Sequence, residues 1–336
     1  MNDFVDISSL ALELSDLEVA LFVCLAIKEH CRIDTRPEYI DDVAKELALI
    51  CANTFDLSYT TLECSAATSF QDFCSGIRLP VNRIPSTGPQ HGPDQVVAVI
   101  IAKNFNLVDE SVQVQALELM RSRRLAARDG LLETPVDFLF VPLIVRESEY
   151  DQPSLNFHLN DHLIISHFHE SPDDLIHLEE SNEWLSDGQM SASSVVRKSH
   201  APLQNINPTI DRKALDKLQR AGETVTVGAD VSRYQQDIAV FLRLSRAVAG
   251  GISARSNVHF KKFSKLLATL HGNDFLTPSI VGLAAKKVFR HRIIIAKPED
   301  DRSLQYGSDL KAVALVLSYA TPDTILDSVL TLEAPL

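Results

Sequence analysis

Three short runs of this chain are apolar almost without interruption: VVAVIIA at 96–102, VDFLFVPLIV at 136–145 and HLIISHF at 162–168. A strand with one wet face alternates between apolar and polar residues, whereas a strand covered on both faces does not. Runs of this length, rich in valine and isoleucine, therefore read as buried strands of a parallel sheet. Parallel neighbours need a crossover between them, and the intervening stretches read as helices. SDLEVALFVCLAIKE at 15–29 has Ser15 placed to cap it and Glu18 placed to complete a capping box. DESVQVQALELMRSRR at 109–124 opens with acids and closes with arginines, as the helix dipole favours. Shorter strands are expected at 30–34 and 60–64, with an amphipathic helix after Pro37. Pro142 is expected to end its strand close by.

The pattern changes after residue 170. IDRKALDKLQRAG, DVSRYQQDIAVFLRLSRAVAG, SNVHFKKFSKLLATLHG and TPSIVGLAAKKVFRHR all carry helical spacing. Gly222, Gly250 and Gly272 stand where helix ends are expected, and Thr277-Pro278 opens the last helix. The expected organisation is an α/β core over 1–170 with a Pro/Gly-rich loop insertion at 78–95. An acidic and polar linker follows over 171–208, then an all-α domain over 209–296 and a helical extension over 297–336.

A net charge of −13 argues against a generic binder of nucleic acid or anionic membrane, which needs a positive field. Residues 1–60 hold twelve acids against four bases, and residues 251–297 hold nine bases against one acid, Asp274. Cys24, Cys31, Cys51, Cys64 and Cys74 form no C-x-x-C pair, so buried free thiols in a reducing compartment are expected. The first residues carry acids and no basic stretch, which predicts no secretory or mitochondrial leader. The longest apolar runs are too short to span a membrane. The expected location is cytoplasmic, with the nucleus also compatible.

The helical part bears a specific likeness. Tyr234 stands near the start of a helix that runs towards Arg246, Ser253-Ala254-Arg255-Ser256 forms a turn, and His291-Arg292 closes the last helix. This resembles the lid of the MoxR and magnesium-chelatase I-subunit group of AAA+ proteins, over about ninety residues. In that group the turn reads Ser-Pro-Arg-Ala. The resemblance implies a P-loop-type core of mostly parallel sheet with flanking helices, followed by an all-α lid. It aligns the phosphate loop with Asp34-Thr35-Arg36-Pro37-Glu38-Tyr39-Ile40-Asp41-Asp42, and the loop's lysine and Ser/Thr positions with Asp41 and Asp42. It aligns the acid pair that places Mg²⁺ and water with Lys103-Asn104, and the sensor asparagine with Val145. The arginine-finger region falls at His158–His162 and holds no arginine, while the second-sensor arginine is kept as Arg255.

These substitutions oppose nucleotide chemistry. A phosphate loop works because glycines let several N–H groups converge, a lysine adds charge and a hydroxyl holds Mg²⁺. The aligned segment has no glycine, and Pro37 has no N–H. Two unit charges of like sign at about 4 Å repel by about 4 kcal/mol at an effective dielectric of 20. A nucleotide held at micromolar affinity has only about 8 kcal/mol to lose. Lysine cannot ligate Mg²⁺ while charged, and asparagine is no base. The resulting expectation is a degenerate AAA+ core, a pseudo-ATPase acting through protein association as a homo- or hetero-oligomer. No cofactor is expected.

The sequence is compatible with two other readings. One keeps ATP and Mg²⁺ binding in a mixed ring whose neighbours supply catalytic residues, as a chelatase-like ATPase subunit. The other draws on His158 and His162, four apart, and His167 and His169, two apart, as ligands for a divalent metal.

Overall fold

The computed structural model describes residues 2–79, 94–128, 130–147, 151, 153, 155–169, 210–331 and 334. The expected linker over 171–208 and most of the 78–95 insertion lie outside them. The described chain divides into two compact units.

The first unit, residues 9–163 and 167–216, holds four strands of a five-stranded sheet and the two ends of the fifth. Helix α1 (Asn2–Glu13) precedes α2 (Asp16–Ile27), then β1 (His30–Thr35), α3 (Ile40–Leu49), β2 (Tyr59–Glu63) and α4 (Phe70–Gly76). A short strand β3 (Asp94–Gln95) leads to β4 (Val99–Lys103), α5 (Glu110–Ser122), β5 (Arg124–Ala127), β6 (Gly130–Glu133), β7 (Leu139–Val145), α6 (Phe157–His162) and β8 (Leu163–His169). The sheet order is β2-β4-β7-β1-β8. The pairings β2–β4, β4–β7 and β7–β1 are all parallel. β1 and β4 are buried along their whole length, as runs without alternation require.

Local signals in the sequence act as expected at several ends. The Ser15 hydroxyl accepts from the Glu18 N–H at 3.2 Å, and the Glu18 carboxylate accepts from the Ser15 N–H at 2.7 Å. Glu18 is buried, and its second oxygen accepts from the Thr54 hydroxyl at 2.7 Å. All five cysteines are buried and free.

Three local expectations are corrected. β7 does not stop at Pro142 but runs on to Val145, with Pro142 aligned to Ala102 of β4. One missing donor is tolerated because the pairing to β4 continues on both sides of it and β1 pairs with the three residues that follow. Gly222 does not end its helix; it lies inside α7 (Arg212–Thr224), where a Cβ would come 2.7 Å from Leu266 Cδ2. Gly250 belongs to a short strand and not to a helix end. Gly272 does follow a helix end, at φ +72°.

The second unit takes residues 1–8, 164–166 and 217–336. Its helices continue as α8 (Ala229–Leu244), α9 (Ala254–Leu270), α10 (Pro278–Phe289), α11 (Leu310–Leu317) and α12 (Pro322–Leu330). Strand β9 (Val248–Gly250) pairs antiparallel with β10 (Ile294–Ile295). Phe260 and Phe289 meet edge to face at 5.0 Å between ring centroids, joining α9 to α10 in the core. Thr277 caps α10 through the Ile280 N–H, with Pro278 in the first turn.

Candidate functional site

Parallel pairing sets the carboxyl ends of the strands side by side. Glu63 is opposite Lys103, Lys103 is opposite Leu143, and Thr35 is opposite Val145. Beyond this edge, where helices begin, open parallel sheets form their ligand sites.

Lys103 is the last residue of β4, and its side chain is only 7% exposed. Its ammonium donates to Asp41 Oδ1 and to Glu63 Oε1. Asp41 comes from the first turn of α3 and Glu63 from the last position of β2. One cation therefore joins two strand ends to a helix start. The two positions that the AAA+ resemblance assigns to a phosphate-binding lysine and a magnesium-binding acid meet here with the opposite charges.

Burial by itself would lower the Lys103 pKa, but the hydrogen bonds to Asp41 and Glu63 outweigh it, and the net shift is upward. Asp41 is held below the ordinary aspartate value, first by the hydrogen bond from Lys103 and then by its charge. A depressed carboxyl pKa gives stability that is present above the unfolded value, about 4, and lost as pH falls through the folded value. A raised lysine pKa gives stability that is present below the unfolded value, about 10.4, and lost as pH rises through the folded one. The stability difference between wild type and Asp41→Asn is therefore expected to stay constant from about pH 5 to 9 and to shrink below about pH 4. Urea unfolding midpoints across pH measure it. A difference that grows in acid would contradict the pairing.

The connection from β1 to α3 consists of Arg36 and the 3₁₀ turn Pro37–Tyr39. The Tyr39 N–H is committed to the Arg36 carbonyl at 3.1 Å, and Pro37 has none to offer. This connection is a tight turn into the helix and not a glycine-rich wrap. Asp42, beside Asp41, pairs with Lys45 on the surface at 3.5 Å. Asn104 sits in the left-handed region at φ +53°, with its N–H on the Leu143 carbonyl at 2.8 Å. Val145 is half-buried at the end of β7. Arg255 lies exposed in the first turn of α9, in the second unit.

The histidines do not gather. His158 is exposed on α6, and His167 and His169 are buried at alternate positions of β8, with ring centroids 6.3 Å apart. Among the described residues no three His, Cys, Asp or Glu side chains come together in a group that could hold a metal. His162 is the last residue of α6, directly before β8.

Two features are not evident from the sequence pattern. Glu63 reads only as part of a strand, and the signal that could find it is its place at the strand's carboxyl end. The second is the Arg32–Asp34 ion pair at 2.6 Å, buried at alternate positions of β1.

A sequence family described as AAA lid domain matches residues 241–311, beyond the boundary expected at 296. The crystal structure of a candidate ATPase from Cytophaga hutchinsonii is similar over 100% of this chain and 94% of its own, with a TM-score of 0.64 at 13% identity. The chain has an AAA+ fold. The chain is also similar to two curated yeast proteins, each called maintenance of telomere capping protein 2. The relative from Lachancea thermotolerans is 32% identical over 113 residues, which cover 32% of this chain and 40% of the relative. The relative from Kluyveromyces lactis is 30% identical over 96 residues, covering 27% and 35%. The chain thus spans less than half the length of the curated relatives it matches.

Proposed function

We propose that this AAA+ module does not turn over nucleotide and acts by associating with other proteins, as an inert scaffold or regulatory subunit of the MoxR and magnesium-chelatase type. The observation that carries this reading is the Lys103 clasp. By the resemblance Asp41 takes the place of the phosphate-binding lysine and Lys103 that of a magnesium-placing acid, and the two are bonded to each other. Charge of the wrong sign at both positions opposes phosphate and metal together. No ATP or Mg²⁺ cofactor is assigned. The partner is a protein, in a homo- or hetero-oligomer, and the place is the cytoplasm or the nucleus. The relatives' shared name, which speaks of maintaining a capped telomere and not of a reaction, agrees with a role of association. Arg255, kept in the first turn of a lid helix, favours the second reading, in which the chain holds ATP within a mixed ring. Phosphate release by the purified chain in millimolar Mg-ATP tests the main reading. No release above the protein-free blank is expected, and release that scales with chain concentration would sink it.

A further inference from the structure

Between α4 and the β5–β6 hairpin lies a cavity of about 230 Å³, which shares no residue with the Lys103 clasp. Local bonds fix its walls. Ser69 caps α4, and the Asp72 carboxylate accepts from the Ser69 N–H at 3.0 Å and the Ser69 hydroxyl at 2.7 Å. Just beyond α4, the Val97 N–H donates to the Ile77 carbonyl at 3.0 Å and the Leu79 N–H to the Gln95 carbonyl at 2.9 Å. These two bonds hold Arg78 opposite Val96. Arg128 comes from the other side, directly after the last residue of β5, at the turn of the hairpin.

Arg78 and Arg128 both line the cavity, and none of the described residues that line it is acidic. Arg78 is half-buried with its Nε inside the protein, and Arg128 is exposed. Arg128 donates one N–H to Gln71 Oε1 at 3.2 Å. A guanidinium carries further donors in a planar fork, and the Gln71 amide keeps its nitrogen as another. Phe70, Ala127 and the buried Cys74 supply an apolar wall.

We propose that this cavity binds a small phosphate monoester with an apolar substituent. Two guanidiniums from separate elements match the double charge of a phosphate monoester, and their forks match its oxygens. A neutral ligand would make no use of either charge. Asp72, on the same helix, is turned to its cap and leaves the arginines to the ligand. Phe70 and Ala127 give the substituent an apolar surface to cover. Pockets for drug-sized ligands run to about 300–1,000 Å³, so this one has room for a small ester and not for a nucleoside triphosphate. The inference stands apart from the proposed function, because a ligand here leaves the clasp untouched.

Calorimetric titration of the full chain in low salt tests it, with phenyl phosphate, inorganic phosphate and benzoate as probes. Phenyl phosphate is expected to bind saturably with a Kd of about 1 mM or tighter. Inorganic phosphate, which lacks the ring, is expected to bind about threefold more weakly or worse, and benzoate, with one charge, about tenfold more weakly. Arg128→Gln is expected to weaken phenyl phosphate about tenfold or more. Gln71→Glu sets a carboxylate beside Arg128 and is expected to abolish binding. Both positions are exposed, and an added acid in the first turn of α4 suits the helix, so circular dichroism and melting should not change. Should one variant unfold, the other decides. Arg124→Gln removes a charge from the same hairpin, where Arg124 pairs with Glu133 and does not line the cavity, and is expected to change the Kd by about twofold or less. Absence of saturable phenyl phosphate binding overturns the proposal, as does binding that survives both cavity variants. An equal loss in Arg124→Gln would show a diffuse field and not a site. Inorganic phosphate bound as tightly as the ester would assign the cavity to free phosphate, and benzoate bound as tightly would assign it to carboxylates; either result overturns the ester.

Discussion

Lys103→Glu is expected to lower folding stability by about 3–5 kcal/mol, the cost of leaving an uncompensated charge in a buried position. The side chain at this position is 7% exposed, and it faces two carboxylates. A third acid there meets repulsion from Asp41 and Glu63. Lys103→Met removes the cation without adding an anion. Asp41 and Glu63 remain 68% and 71% exposed and stay hydrated, so the loss is expected to be about 1 kcal/mol. Pairing Lys103→Glu with Asp41→Lys restores opposite signs and is expected to recover about 1 kcal/mol or more of coupling. Urea unfolding of wild type, Lys103→Glu, Asp41→Lys and the pair measures the cycle, with Lys103→Met read beside it. A Lys103→Glu chain as stable as wild type would show that the clasp is not formed in solution.

Gly251→Ala is expected to be comparably severe within the helical unit. Gly251 lies between β9 and α9 at φ +100°, a conformation that side chains rarely adopt. A Cβ there would stand 1.7 Å from the carbonyl oxygen of Arg292 and 2.6 Å from its carbon. Both are backbone atoms, so no rotamer change relieves the overlap, and the β9–β10 pairing must shift. The combined strain is expected to cost about 4 kcal/mol. Gly307→Ala is the matched control. Its φ is +88°, but nothing lies within 4 Å of the new atom, so only conformational strain of about 1–2 kcal/mol applies. Thermal melts of the two variants, read side by side, separate the clash from the strain. Equal losses would mean that the contact with Arg292 is absent.

Much of the architecture was legible because burial on both faces leaves a plain mark. The runs at 96–102, 136–145 and 162–168 became β4, β7 and β8 within a few residues. The Ser15 and Thr277 caps worked because their chemistry depends on neighbours three residues away. The hairpin of β5 and β6 went unread, since its strands are four residues each and only one residue in each is buried. Gly222 reads as a helix end in the sequence because a close approach between helices and a helix end both favour glycine, and only the position of Leu266 distinguishes them. At the site, Asp41 and Lys103 were singled out as poor substitutes for catalytic groups. That they bond to each other could not be seen across 62 residues of sequence. Glu63 was hidden for the same reason, because only the strand register puts it opposite Lys103.

The central claim is that the reversed charges leave no place for a nucleotide, and calorimetric titration of the purified chain with ATP and Mg²⁺ tests it most directly. The account predicts no binding heat up to millimolar nucleotide. Saturable binding with a micromolar Kd would contradict it, because the clasp of Asp41, Lys103 and Glu63 would then have to open for phosphate, and the chain would be a nucleotide-holding subunit.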